Sequence, residues 1–338
     1  MERRSWLIMI VFYCKVQPYN YLEETNMCDC NNQDQMDQTA GFEKFLNELY
    51  QAKLLIPSGV KGVYGRGYWF EKIVQQFEKY VSKEAKDLNA EVMYFPPVIN
   101  RAYYSKMDHI HNFPDLLGSV HSFTGNENQH KEMITKFEAN EDWTNSLTPT
   151  DVMMVPAVCY PLYPASSGTL KAGGRLVDLN GYVFRHEPSI DPARMQLFRM
   201  REFVRIGTPD EASAHRDYWL KKGEEILKSL GLDIEVVVAN DPFFGRGGRL
   251  RKATQREQVL KHEFVVPICN TMGPTAIGSV NYHLDSFGSK FDIRTSNGEI
   301  AHSACLGFGL ERVTLALLKK HGLNVEQWPT DIKKILDL

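Results

Sequence analysis

Two short elements, far apart in the chain, carry side chains suited to holding a polyanion. Phe184-Arg185-His186-Glu187 ends one run of strand-forming residues, and the loop Pro188 to Met195 that follows contains Arg194. A second run returns through Phe198-Arg199-Met200-Arg201-Glu202-Phe203. The pattern reads as a hairpin with Arg185 and Glu187 near one end and an aromatic on the returning strand. A guanidinium clamps a phosphate with two parallel hydrogen bonds. A neighbouring carboxylate can accept from an exocyclic amine, and an aromatic face can stack on a base. Arg-x-Glu on a strand is equally the pattern of a cross-strand ion pair, so alone it leaves both readings open. The second element, Gly307-Phe308-Gly309-Leu310-Glu311-Arg312, follows a predicted strand and opens a predicted helix. Its glycines let backbone or ligand come close, and Arg312 falls in the first helical turn. A tight turn with a surface arginine has the same spelling.

The elements that must position these residues can be read from periodicity. Helical spacing predicts helices over Gly41 to Ile56 and Tyr68 to Leu88, where Trp69, Phe70, Ile73, Val74, Phe77, Tyr80 and Val81 share a face. Short strands are predicted at Ala90 to Phe95, stopped by Pro96 and Pro97, and at Ser119 to Phe123. From Gly181 onward strands dominate: Gly181 to Glu187, Leu197 to Ile206, Ile234 to Val238, Glu263 to Ile268, Ile277 to Leu284 and Ile300 to Cys305. One long helix interrupts them, Pro209 to Leu230, with Thr208 as N-cap and Gly231 as its stop. A last helix is expected over Leu306 to His321. Strands adjacent in sequence with little helix between them imply an α+β fold, an antiparallel sheet flanked by helices. Neither a Walker A loop nor a strand-coupled dinucleotide glycine fingerprint is present.

Composition bounds the function. The 338 residues are 43% apolar and 24% charged, an ordinary globular balance. A net charge of -3 argues against a surface built throughout to hold nucleic acid. Six scattered cysteines do not make a disulfide scaffold. Cys28 and Cys30 sit in a polar leader spanning residues 1–40, expected to be poorly ordered. The apolar run Trp6 to Cys14 is too short to span a membrane and lacks a cleavage site. The chain is expected to be cytoplasmic, with one catalytic domain over residues 41–338 and no membrane partner.

Taken in order, Phe-Arg-x-Glu, the hairpin return and Gly-x-Gly-Leu-Glu-Arg resemble motifs 2 and 3 of class II aminoacyl-tRNA synthetases. The segment Glu91 to Asn100 stands where their motif 1, the dimer element, would lie, so the resemblance implies a homodimer. The match is nearest the seryl branch, in which the returning strand's aromatic packs on adenine; that role falls on Phe203. Two cysteines and a glutamate narrow the family. Cys159, Glu202 and Cys305 could supply a three-ligand zinc site whose fourth position is left for substrate. Read alone, each cysteine is a small buried hydrophobe. A Cys/Glu/Cys site in a seryl-like core is similar to the atypical archaeal seryl-tRNA synthetases and to their short bacterial relatives, the amino acid:[carrier protein] ligases. The segments Val98 to Gly125, which includes Phe113 to His121, and Ala276 to Phe287, which includes Asn281-Tyr282-His283, also look like the ligase family. Too few residues precede the first core helix for the coiled-coil arm of ordinary seryl enzymes, and no basic domain is appended. The short form, acting without tRNA, is therefore expected.

That resemblance implies ATP-dependent activation of a small amino acid, glycine or alanine, and its transfer to the phosphopantetheine thiol of a carrier protein. Arg185 would hold the α-phosphate, Arg312 the γ-phosphate and Glu187 the adenine. Arg194, Met195, Ala276, Ile277, Gly278 and Ser279 complete the nucleotide site, and Glu202, Ser279 and Asn281 the amino-acid site. Magnesium is implied as well. The sequence departs from the seryl pattern here: Thr275 and Ala276 stand where an acidic metal ligand is usual, and Gly288-Ser289-Lys290 where paired arginines are usual. Glu263 is offered as a magnesium ligand and equally as a cross-strand charge. The helix Pro209 to Leu230 is a candidate docking surface for the carrier. A synthetase that borrows a tRNA-binding subunit, and a catalytically silent regulatory paralogue, are the competing readings.

Overall fold

Six period-two runs of the C-terminal half assemble, with one short strand from the N-terminal half, into a seven-stranded sheet. The computed structural model describes residues 32–241, 259–269 and 273–338. The apolar run Trp6 to Cys14 and the Cys28/Cys30 pair lie outside the described residues. The sheet is built from β1 (Glu91–Met93), β2 (Arg175–Phe184), β3 (Leu197–Gly207), β4 (Glu235–Val238), β5 (Lys261–Val266), β6 (Thr275–Leu284) and β7 (His302–Gly309). Its spatial order is β4-β5-β6-β7-β3-β2-β1. Every neighbouring pair is antiparallel except β1 with β2. This is the α+β architecture expected from the sequence.

Four helices matter to the site: α1 (Asn32–Gln51), α2 (Tyr68–Glu84), α3 (Pro209–Ser229) and α4 (Leu310–His321). Successive strand residues point to opposite faces of a sheet, so each strand addresses two environments. One face carries Phe203, Phe264, Leu306 and Phe308, all buried, and packs on the helices. The Phe203 ring lies 4.6 Å from Trp219 of α3, and Phe308 lies 5.5 Å from Phe77 of α2. Ion pairs reinforce the same interface. Arg199 reaches Glu71 of α2 at 2.6 and 2.8 Å and Glu311 of α4 at 2.9 Å, while Arg201 clamps Asp178 of β2 at 3.0 and 2.6 Å.

The element boundaries test the sequence reading in detail. Thr208 does cap α3: its hydroxyl accepts from the Glu211 amide at 3.2 Å and Glu211 accepts from the Thr208 amide at 2.9 Å. Gly231 stops the chain there with φ +75°. The first helix differs. It runs Asn32–Gln51 rather than Gly41 to Ile56, because Lys53 turns the chain with φ 55° and Leu55–Pro57 pairs as a strand with Tyr64–Arg66. The expected leader thus contributes helix from Asn32 onward. The final helix begins at Leu310, not Leu306, since β7 stays paired with β3 through Gly309. Arg185 and Glu187 fall just past the end of β2 rather than within it. A second, three-stranded sheet of Val98–Asn100, Thr148–Met154 and Ser119–Ser122 stands beside the first. Among the described residues no helix is long and apolar enough to cross a membrane.

Candidate active site

The face of the sheet opposite the helices floors a cleft of about 900 Å³. Strand parity selects which residues face it: Phe198, Met200 and Glu202 from β3, Lys261 and Glu263 from β5, and Cys305, Gly307 and Gly309 from β7. Parity also corrects one assignment. Phe203 neighbours Glu202 on one strand, so the two point to opposite faces, and Phe203 is spent on Trp219. The β3 aromatic on the cleft face is Phe198. Two cations approach its ring, the Arg185 guanidinium at 5.6 Å and that of Arg312 at 5.9 Å.

Both arginines are aimed by backbone carbonyls. Arg185 Nε donates to Pro156 O at 3.1 Å, and Arg312 donates to Ala193 O at 2.7 Å and Ala276 O at 3.1 Å. Burial, and after it the nearby Arg185 charge, pulls the Arg312 guanidinium down to about 10. It remains charged at neutral pH, so two cations face one partly dry cavity. That arrangement awaits an anion. The loop between β2 and β3 is tied down by Gln196, whose amide donates to Gly62 O at 2.7 Å and whose side chain donates to Lys61 O at 2.7 Å. Gly62 has φ +73°, and a Cβ there would sit 3.2 Å from Arg194 O, so the loop needs glycine at this point.

The other expected nucleotide residues divide. Glu187 lines the cleft and pairs with Arg194 at 3.2 Å on the exposed rim. Ala276, Ile277, Gly278 and Ser279 line the floor. Met195 does not: its side chain is buried in the core with its sulfur 4.0 Å from Arg66. Glu263 is held with Lys261 at 2.9 Å, and Lys261 also holds Asp241 at 2.6 Å. The helix α3, offered as a carrier-docking surface, lies behind the sheet against Phe203, on the side away from the cleft.

Cys159, Glu202 and Cys305 do meet on one cavity wall, and all three are buried. Cys159 opens the helical turn Tyr160–Leu162. Glu202 on β3 is in register with Gly307 on β7, and Cys305 lies two residues along the same face. A Cβ at position 307 would come 3.4 Å from Glu202 Cγ, an ordinary van der Waals contact, so position 307 packs directly against the Glu202 side chain. Burial pushes the Glu202 carboxyl up, opposed by the Cys159 thiol, Arg185 and the amides of Val158 and Cys159. Its Oε2 is buried without a hydrogen-bond partner. Burial, and then the Glu202 charge, push both thiols up. The donors are of the kind zinc takes, and the orphaned oxygen is a group a cation would satisfy. Among the described residues, however, no three His, Cys, Asp or Glu side chains form a group that could hold a metal ion. The donors converge on a cavity rather than standing as a preformed centre.

Three cleft residues had no assigned role. His283 places Nε2 3.7 Å from Cys305 Sγ, beside Asn281, whose Nδ2 is also 3.7 Å from that sulfur and 3.2 Å from Ser279 Oγ. Burial holds the His283 imidazole down at about 4. His109 lies at the far wall with Nδ1 3.1 Å from the Tyr160 hydroxyl, and burial followed by the Arg185 charge lowers it to about 4. Phe198 is the third, and the period of β3 alone could have found it. Its assignment makes a prediction. Phe203→Ala should cost about 3–5 kcal/mol of stability, as for a large core aromatic. Phe198→Ala should instead raise KM for ATP about tenfold, one stacked base being worth about 1–3 kcal/mol. Thermal unfolding and nucleotide-dependent kinetics of both variants check it; an ATP defect specific to Phe203→Ala would reverse the assignment.

No protein-family model matches the chain. It is 40% identical over 288 residues to amino acid--[acyl-carrier-protein] ligase 1 of Bradyrhizobium diazoefficiens, covering 85% of this chain and 88% of that protein. With ligase 2 of the same organism it shares 43% over 282 residues, covering 83% and 84%. In three dimensions it resembles M. kandleri SerRS, solved in complex with A. aeolicus tRNASec. There the TM-score is 0.74 at 20% identity, over 86% of this chain and 60% of that one. At that identity the likeness speaks for the fold alone.

Proposed function

The chain belongs to the amino acid--[acyl-carrier-protein] ligases, and from that premise we propose how its cleft divides the work. The overall reaction activates an amino acid with ATP and passes it to a carrier protein. In the first half, an amino-acid carboxylate oxygen attacks the α-phosphorus of ATP and pyrophosphate leaves. Arg185 clamps the α-phosphate and Arg312 the γ-phosphate, so that charge building on the phosphoryl oxygens meets fixed cations. Phe198 stacks on adenine and Glu187 accepts from its amino group. Catalysis is then positioning plus charge neutralisation, and no general base is required of the protein. Glu263 is already paired with Lys261, so no protein ligand for magnesium is assigned. In the second half, the phosphopantetheine thiol of the carrier attacks the adenylate carbonyl, a thioester forms and AMP departs.

Cys159, Glu202 and Cys305 are the proposed holders of a zinc ion, with the unpartnered Glu202 Oε2 as the supporting observation. When bound, the ion supplies a Lewis-acid site for the substrate's amino group. Beside this cluster the wall is formed by Tyr160, Phe287, His283 and His109, bulky rings that leave room for a small side chain. Glycine or alanine is the proposed substrate. A homodimer is proposed along β1, the sheet edge, where Val92 on the strand and Tyr94 just after it are 62% and 72% exposed.

The observation that carries the reading is the pair of carbonyl-aimed arginines flanking Phe198 beside the Cys/Glu/Cys wall. ATP–pyrophosphate exchange with a panel of amino acids tests it. Glycine or alanine should exceed larger residues such as leucine by about 10-fold or more per misfit group. Preference for a large side chain would refute the small-pocket reading, and exchange with no amino acid would refute activation.

A further inference from the structure

Of the sulfurs lining the cleft, that of Cys305 is met from the neighbouring strand by two nitrogen-bearing side chains. Asn281 pairs directly with Cys305 in the β6–β7 register. Asn281 Nδ2 and His283 Nε2 each lie 3.7 Å from the sulfur. His283 is fixed from its other side as well. Its Nδ1 lies 3.0 Å from Ser303 Oγ and 3.5 Å from the Tyr163 hydroxyl. Its ring meets Phe287 edge-on at 5.1 Å, and Phe287 stacks on Tyr163 at 3.7 Å. Ser303 and Cys305 share one face of β7; on β6 the register shifts between Tyr282 and Leu284, and His283, at that irregularity, meets both Ser303 and Cys305 beside Asn281. The four polar groups therefore form one patch spanning two strands. A hydroxyl donated to Nδ1 leaves the ring proton on Nε2, the atom that faces the sulfur.

The geometry points to His283 as a positioning residue for the metal, its Nε2–H donating to Cys305 Sγ and aiming that sulfur at Cys159 and Glu202; this rests on the zinc reading above. A sulfur free to change rotamer must be ordered when the ion arrives, whereas one already hydrogen-bonded is held in place. Partners of this kind orient metal ligands and tune their electron donation. The arrangement also explains an otherwise odd choice: a polar imidazole, hydroxyl-bonded on one edge, in a wall of aromatic rings where a phenylalanine would pack equally well.

Two substitutions separate this role from packing. His283→Phe keeps a ring against Phe287 and Tyr163 but has no donor. His283→Gln discards the ring yet can place an amide N–H near the former Nε2. In the full-length protein, zinc affinity is read by competition with a chromophoric chelator, and the KM values for amino acid and ATP by pyrophosphate exchange. His283→Phe should bind zinc about 10–100-fold more weakly and should raise the amino-acid KM far more than the ATP KM. His283→Gln should stay close to the wild type in both. Wild-type zinc affinity in His283→Phe, or equal losses in the two variants, would overturn the positioning role while leaving zinc itself standing. A wild-type protein that binds no zinc would overturn the zinc reading, and this inference with it.

Discussion

Replacing Arg185 by alanine is expected to lower kcat/KM for ATP–pyrophosphate exchange by about 10³-fold, the scale on which a single cation stabilises phosphoryl transfer. Little stability should go with it. Arg185 makes one side-chain hydrogen bond, to Pro156 O, at the mouth of a cleft rather than inside the core. Removing it also frees Arg312 from a like-charged neighbour, so the Arg312 guanidinium should move up from about 10. The two arginines therefore repel each other, a repulsion that Glu187 and Asp191 partly offset at Arg312. Arg185→Lys should recover a minor part of the rate, because an ammonium cannot make the two parallel hydrogen bonds of a guanidinium. A variant with normal exchange would place the α-phosphate elsewhere.

Cys159→Ala and Cys305→Ala are expected to be nearly as damaging, through a different property. Each should reduce bound zinc from about one ion per chain to near none, since a three-ligand site does not survive the loss of a thiolate. Exchange should fall to background together with the metal. Both residues are small and buried, so alanine leaves only a small cavity and the chain should still fold. Metal analysis and exchange measured on the same sample decide the point. Full exchange in a zinc-free variant would contradict the proposed role of the Cys/Glu/Cys wall.

Much of the architecture was legible in the sequence because it is written in local chemistry. Thr208, Pro209 and Gly231 bracket α3 through capping and a left-handed stop, and each acts within a few residues. The strands of the C-terminal half announce themselves by alternation. What local reading misjudged was where elements end. Pairing with β3 carries β7 on through Gly309, and pairing with Tyr64–Arg66 turns Leu55–Pro57 into a strand; both partners are distant in sequence.

The site was legible in its residue types more than in its directions. Arg185, Arg312, Glu202 and the two cysteines do reach one cleft, whereas Met195 turns into the core and Phe203 into the helix layer. The Phe203 error was avoidable. With Glu202 assigned to the cleft, the period of two sends residue 203 to the other face and brings residue 198 to the same one. His283 and His109 could not be found that way. Their roles arise from contacts with Cys305 and Tyr160, and nothing in their own neighbourhood of the sequence encodes those contacts. That Cys159, Glu202 and Cys305 line one cavity is likewise a matter of tertiary position, which residue spacing does not carry.

The cleft is proposed to make an aminoacyl adenylate and deliver it to a carrier thiol. Intact-mass analysis of a phosphopantetheinylated acyl carrier protein, incubated with the purified chain, ATP and glycine or alanine, tests it most directly. The carrier should gain one aminoacyl group, the gain should require ATP, and hydroxylamine should remove it, as expected of a thioester. A carrier that stays unmodified while the amino acid is esterified to tRNA, or while no adenylate forms at all, would contradict it.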